Sequence, residues 1–214
     1  MQYEALICEL HDQVALITLN RPDKRNALSR VLRDEIVLCL GELEKTQQVG
    51  AIVLTGAGSS FCAGFDLNEF QTGDIQEIFA HATSYHHKVY NTRKPIIAAV
   101  NGQAMAGGMD LAAMCDVRIA AIDSVFGQPQ VKMGIAAAYD LLATVLPEAL
   151  ARELCLTGRR MDANEALAIR FVNEVVDSDR LVERAIEVAT TIVDCKGSAA
   201  MKDRFVALQP DLFH

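Results

Sequence analysis

Gly56-Ala57-Gly58-Ser59-Ser60-Phe61-Cys62-Ala63-Gly64-Phe65-Asp66-Leu67 and Asn101-Gly102-Gln103-Ala104-Met105-Ala106-Gly107-Gly108-Met109-Asp110 are two glycine-rich turns about forty residues apart. Each follows an apolar run, 51–55 and 95–100, that reads as a buried strand. Each turn can point free backbone N–H groups into a cleft. Two such donors converging on one oxygen stabilise negative charge developing on a carbonyl. The pair therefore points to carbonyl chemistry through an enolate or a tetrahedral intermediate.

Working outward, residues 6–10 and 14–19 flank His11-Asp12-Gln13 and predict a β-hairpin, followed by a turn at Asn20-Arg21-Pro22-Asp23. Ser29 is placed to cap a helix running to about residue 46, with Leu32, Ile36, Leu40 and Leu43 at helical spacing. Further helices are expected at 74–91, from the second glycine turn through Met114, and at 138–146, 148–156, 162–168 and 179–193. Strands are expected at 116–120, 125–126 and 172–176, and the tail 198–208 reads as helical. Strands alternating with helices argue an α/β fold with short crossovers. Residues 1–195 read as one core and 196–214 as a short helical tail, with no linker or low-complexity segment between them.

The chain has 214 residues, half of them hydrophobic, enough for one domain with a substantial core. Twenty Lys plus Arg against 28 Asp plus Glu give a net charge of −8, which argues against nucleic-acid binding. Positive charge is local: Arg21, Lys24 and Arg25 follow the first hairpin. The six cysteines form no CxxC pair and lie mostly in apolar runs, as small buried hydrophobes do in a reducing compartment. No signal-peptide pattern opens the chain, and no apolar run approaches the ~18 residues of a membrane span. These features predict a cytoplasmic protein without metal or membrane partners.

The motifs, in this order, resemble the crotonase superfamily, the enoyl-CoA hydratase/isomerase family, from about Leu6 to Val206. They are Asn20-Arg21-Pro22 with Asn26-Ala27-Leu28, the two glycine turns, Cys115-Asp116, Phe126-Gly127-Gln128-Pro129, Leu156-Thr157-Gly158 and Ala163-Asn164-Glu165-Ala166-Leu167. The resemblance implies a spiral of ββα units, a homotrimer or dimer of trimers, and acyl-CoA thioester substrates, with coenzyme A part of the substrate and no separate cofactor. It assigns the two oxyanion N–H groups to Phe65 and Gly107, where Gly64 leaves room for the thioester and Gly107 opens a helix. It assigns contacts with the substrate to Arg21, Lys24, Arg25, Ala27, Ala63, Gly64, Asp66 and Leu67.

The departures from the family pattern bear on the reaction. Hydratases of the family hold a water between two glutamates. Those positions fall here on Asp110, one methylene shorter, and on Gln130, which has no titratable proton. The Gly-Gly usual further on is replaced by Tyr139-Asp140, near the expected pocket wall. Asp110 lies in an apolar helix, where burial would raise its pKa and suit it to proton transfer. His86 and His87, on the helix that covers the pocket in relatives, read as surface or packing residues. Asp116 reads as structural. Relatives continue for several more helices, so a shortened cover over the substrate is expected. The favoured function is an acyl-CoA enzyme that stabilises a thioester enolate. The alternative is a catalytically impaired acyl-CoA-binding protein, favoured by Gln130. A nucleotide-binding domain is disfavoured, since neither turn carries a full GxGxxG or GK[ST] motif.

Overall fold

The computed structural model describes residues 3–213, with backbone alone at positions 72 and 75. Apolar-rich runs form the opening hairpin, β1 (Leu6–His11) antiparallel to β2 (Val14–Leu19), with Asp12 at φ 53 in the turn. Ser29 accepts the Leu32 N–H at 3.3 Å and starts α1 (Arg30–Lys45), which buries Leu32, Ile36, Leu40 and Leu43 on one face.

Three long–short strand pairs follow. β3 (Ala51–Gly56) is succeeded by β4 (Ser60–Cys62), β5 (Ile96–Val100) by β6 (Gln103–Met105), and β7 (Val117–Ala121) by β8 (Val125–Gly127). Helices α2 (Leu67–Thr72) and α3 (Ile75–Tyr90) separate the first pair from the second, and α4 (Gly107–Ala113) the second from the third. The long members lie side by side in a six-stranded sheet of order β1-β2-β3-β5-β7-β10, where β10 is Glu174–Val176. From β2 onward every neighbouring pair in that sheet is parallel. The short members stack as a second, parallel β4-β6-β8 ladder, closed by the antiparallel β9 (Arg160–Asp162). Each turn of the chain thus gives one strand to each sheet, the expected spiral of ββα units.

The parallel sheet is covered on both faces, which is why its strands read as unbroken apolar runs. Val14, Leu16, Ala51, Val53, Ile97, Ala99, Ile119 and Ala121 face α8 (Leu181–Asp194) through Leu181, Ala185 and Ala189. The alternate residues, among them Ile17, Ile52, Leu54, Ala98 and Val100, face the larger core with α1, α3 and α4. After β8 come a 3₁₀ turn (Pro129–Met133), α5 (Tyr139–Val145), α6 (Glu148–Thr157) and α7 (Ala163–Ala168). No helix among the described residues is long and apolar enough to cross a membrane.

Strands β4, β6 and β9 and helix α2 are not among the elements expected from the sequence. These three-residue strands sit inside or beside turns, too short for any periodicity to register. The expected strand at 172–176 is confined to Glu174–Val176.

Helix α9 (Ser198–Leu208) is tied back to the sheet. The buried Lys202 ammonium contacts both Asp116 oxygens at 2.7 and 2.8 Å, and Asp116 Oδ2 also accepts the Ile96 N–H at 2.8 Å. Gln209 donates to the Tyr90 carbonyl at 2.9 Å. Removing one member of a buried pair leaves the other charge uncompensated. Asp116→Ala is therefore expected to lower unfolding free energy in urea by about 3 kcal/mol. Lys202→Met, which leaves Asp116 its backbone donor and partial exposure, should cost distinctly less.

Candidate active site

The two glycine turns meet because side chains are missing where they cross. Gly64 has φ +93, and a Cβ there would lie 2.9 Å from the Met105 carbonyl oxygen and 3.2 Å from the Gly107 nitrogen. A Cβ on Gly108 would stand 2.1 Å from the Cys62 carbonyl oxygen. Between these glycines Ala106 adopts φ 49, ψ −125, a conformation that costs a non-glycine residue about 1–3 kcal/mol. It is held there by its own N–H, which donates to the Gly127 carbonyl at 2.8 Å, and by its carbonyl, which accepts from Met109 and Asp110 at 2.8 and 3.0 Å.

Phe65 bridges to Leu28 in parallel fashion, with Leu28 N–H donating to Gly64 O at 2.8 Å and Asp66 N–H to Leu28 O at 3.3 Å. The Phe65 ring packs over Gly107, where an added Cβ would meet it at 2.8 Å. Among the described residues, neither the Phe65 N–H nor the Gly107 N–H donates to a protein acceptor.

Beside these two donors lies a cavity of about 320 Å³ lined by Phe65, Phe79, Ile78 and Met133, with Asp110 and Gln130 as its carboxyl and carboxamide groups. Asp110 is buried in the first turn of α4. Burial pushes its carboxyl up to about 7, against the opposing effect of one hydrogen bond from Gln128 Nε2 at 2.8 Å. Gln128 Oε1 in turn accepts from Gln130 Nε2 at 2.6 Å, and Gln130 Oε1 is buried with no donor among the described residues. Asp110 and Gln130, expected as a pair, are thus joined through Gln128, which the sequence reading did not single out.

The two histidines expected in surface or packing roles divide. His87 is exposed, but His86 lines the same cavity, edge-on to Phe65 at 5.7 Å and stacked on Phe213 at 5.2 Å. Burial, and then the positive charge of Arg33, hold its imidazole down to about 4, so the ring is neutral near pH 7. Arg33 also escaped the sequence reading. Fully buried on α1, it donates to His81 Nδ1 at 3.0 Å, the Leu28 carbonyl at 2.7 Å and Glu69 at 3.0 Å. Its guanidinium lies 5.1 Å from the Phe65 ring centroid, where it braces the ring. The signal available was a cation on the same apolar face as Ile36 and Leu40.

The expected substrate-contact residues divide. Arg21 is engaged internally: it donates to the Ala27 carbonyl at 2.5 Å and pairs with Asp66 at 3.0 Å. Asp66 also caps α2 by accepting from the Asn68 N–H at 3.2 Å. Arg21, Ala27 and Asp66 therefore fasten the turn after β2 onto the first glycine loop. Lys24 and Arg25 are exposed. Arg25 and Ala63 line a second cavity of about 400 Å³ with Lys132, Arg159 and Arg160, and Ala63 and Pro129 border both cavities. Leu67, half exposed, sits on the rim of the apolar cavity. Tyr139 is turned away: its hydroxyl donates to Glu148 at 3.4 Å, and Ala138 lines the cavity in its stead. Asp140 is exposed in the first turn of α5.

Comparison with known proteins follows the same lines. A family model described as enoyl-CoA hydratase/isomerase matches residues 9–208. A probable enoyl-CoA hydratase of Rhizobium meliloti is 42% identical over 205 residues, covering 94% of this chain and 80% of the relative. A short-chain-enoyl-CoA hydratase of Clostridium acetobutylicum is 36% identical over 200 residues, covering 90% and 77%. The crystal structure of an enoyl-CoA hydratase from Bacillus anthracis superposes with a TM-score of 0.91 at 30% identity, covering 98% of this chain and 85% of that one.

The raised Asp110 carboxyl has a cost in stability. Its folded-state pKa lies above the ordinary carboxylate value of 3.8, so the folded form binds the proton more tightly than the unfolded form. Stability is unaffected below about 3.8 and falls as pH rises towards 7, by on the order of 4 kcal/mol in total. Asp110→Asn removes the titration and keeps an oxygen for Gln128. Thermal unfolding should show the variant gaining on the wild type between about pH 5 and about pH 8. A constant difference across that range would contradict the assignment.

Proposed function

The chain belongs to the enoyl-CoA hydratase/isomerase family, and on that premise we propose that it moves a proton on an acyl-CoA thioester through an enolate, with Asp110 as the one proton-transferring group. The observation that carries this reading is a buried carboxyl with a pKa of about 7, in an apolar cavity beside two unpaired backbone N–H groups. The thioester oxygen would sit between the Phe65 and Gly107 N–H groups, which stabilise it more as it becomes an enolate than as a carbonyl. Ionised Asp110 takes a proton from the acyl chain, and the electron pair moves onto that oxygen. Return of the proton to another carbon shifts a double bond. If the Asp110 carboxyl first trades that proton for one from solvent, return to either carbon carries the solvent label.

Gln130 can orient a water or a substrate group but cannot exchange a proton near pH 7. That favours one-carboxylate proton transfer over hydration by two carboxylates. Hydration is the second reading, favoured by the names of the relatives. The acyl chain would occupy the apolar cavity, and the remainder of the thioester would pass Ala63 into the second cavity. There Arg25 and Lys132 are available to the phosphates, with the exposed Lys24 next to Arg25 in the chain. Arg159 is held by Glu153 and Glu165 at 2.7 and 2.6 Å and is not free for that role. The assembly we propose is a homotrimer or dimer of trimers, as the family suggests.

Incubation with saturated, 2-enoyl, 3-enoyl and dienoyl CoA thioesters in deuterated water, followed by mass spectrometry, tests the chemistry. Deuterium uptake with double-bond migration is the expected result; gain of one water would favour hydration. No change on any thioester that binds would overturn the enzymatic reading. Asp110→Asn should lower turnover by about 10²–10⁴ while thioester binding persists. Since the base must be ionised, kcat/KM should rise with pH and level off above about 7.

A further inference from the structure

The line Asp110–Gln128–Gln130 has a directional property that no single hydrogen bond in it has. A primary amide accepts through its oxygen and donates through its nitrogen. A half-turn about its last side-chain bond exchanges the two with little change in heavy-atom positions. An ionised carboxylate only accepts, so it draws the Gln128 nitrogen towards itself. Gln128 oxygen then faces Gln130, whose nitrogen turns inward and whose oxygen is left at the far end. That is the arrangement present: 2.8 Å from Gln128 Nε2 to Asp110, 2.6 Å from Gln130 Nε2 to Gln128, and Gln130 Oε1 without a donor among the described residues.

A protonated carboxyl donates. Gln128 oxygen would then accept the Asp110 O–H, its nitrogen would donate to Gln130 oxygen, and the Gln130 NH₂ would occupy the far end. We propose that Gln128 and Gln130 form a reversible amide relay, in which each proton gained or lost by Asp110 switches the group at the far end of Gln130 between hydrogen-bond donor and acceptor. Asp110 then keeps a partner in both charge states, and the hydrogen bonding offered to a bound substrate changes in step with the proton. Gln128 is a positioning residue, acting through Asp110 and Gln130. The inference rests on the reading of Asp110 as the proton carrier.

The relay accounts for a carboxamide at position 130. An ionised glutamate there would only accept, and would compete with Asp110 for the Gln128 NH₂. The titratable groups around Asp110 do not confuse the signal. Cys62 of β4, Tyr85 of α3 and Cys155 of α6 are raised by burial and stay protonated near neutrality, while His86 of α3 is already neutral. Arg33, the fixed cation behind Phe65, is paired with Glu69.

The Asp110 carboxyl C=O stretch, followed by infrared difference spectroscopy across pH on the resting protein, tests this, with Asp110→Asn as the blank. Gln130→Glu should raise the midpoint by about one pH unit or more, because the new carboxylate captures the Gln128 NH₂ and leaves Asp110 facing an oxygen. Direct repulsion between two carboxylates would raise it too, so the increment is measured again with the near-isosteric Gln128→Met present. A relay predicts that less than about half of the increment survives. An equal increment in both backgrounds, or none with Gln130→Glu alone, overturns the proposal. The band is read without substrate, so failure of the relay and failure of thioester turnover are separate results.

Discussion

The approach of two backbone turns that a single methyl group would block is the constraint on which this molecule depends. Gly64 against Met105 and Gly107, and Gly108 against Cys62, bring the backbones of the first and second glycine turns into contact. Two asparagines hold the layers in register. Asn101 donates to the carbonyls of Gly56 and Gly58 at 2.8 and 2.9 Å, and buried Asn26 donates to those of Ala57 and Ser60 at 2.9 and 2.7 Å. The parallel sheet makes the meeting possible. Because β3, β5 and β7 run the same way, the turns that follow them gather at the carboxyl ends of the strands, where ligands of open α/β sheets bind.

What faces the meeting point is set from behind by Arg33. One buried guanidinium joins α1 to α2 through Glu69, to α3 through His81 and to the Leu28 carbonyl, while lying over the Phe65 ring. Phe65 in turn contacts His86, and His86 stacks on Phe213. The backbone N–H of Phe65 is thereby positioned by a residue that never enters the cavity. The charge of Arg33 also helps keep His86 neutral, so the cavity wall stays uncharged apart from Asp110.

Much of this was legible in the sequence because it is local. Ser29 announces α1 through its capping hydroxyl, and the apolar runs of β3 and β5 announce a sheet buried on both faces. Asp110 announces itself as an acid between Met109 and Leu111 on a buried helix. The rest was illegible because it depends on distant partners. The pairing of Arg21 with Asp66, far along the chain, has no local signal. Gln128, beside a proline in an aperiodic turn, gives no sign of joining Asp110 to Gln130. Arg33 follows no rule for charged residues, which normally face solvent; only its set of acceptors explains its burial. Strands β4, β6 and β9 of the second sheet exist because the glycine turns are stacked, and no three residues of sequence encode a stack.

The same stacking has a consequence for folding. The first two strands to bring the glycine turns together, β3 and β5, pair Ile52 with Ile96, residues separated by 96 − 52 = 44 positions. Neither turn has the site's geometry by itself, and loop closure must precede any reward from the contact. High contact order thus falls on the functional centre itself. The Phe65 and Gly107 N–H groups should order late, with the parallel ladder, and the hairpin and α1 can form before them without creating the cavity. A partly folded chain would then expose no half-made cavity, because the two N–H groups and the Asp110 carboxyl meet only once β3 and β5 have paired.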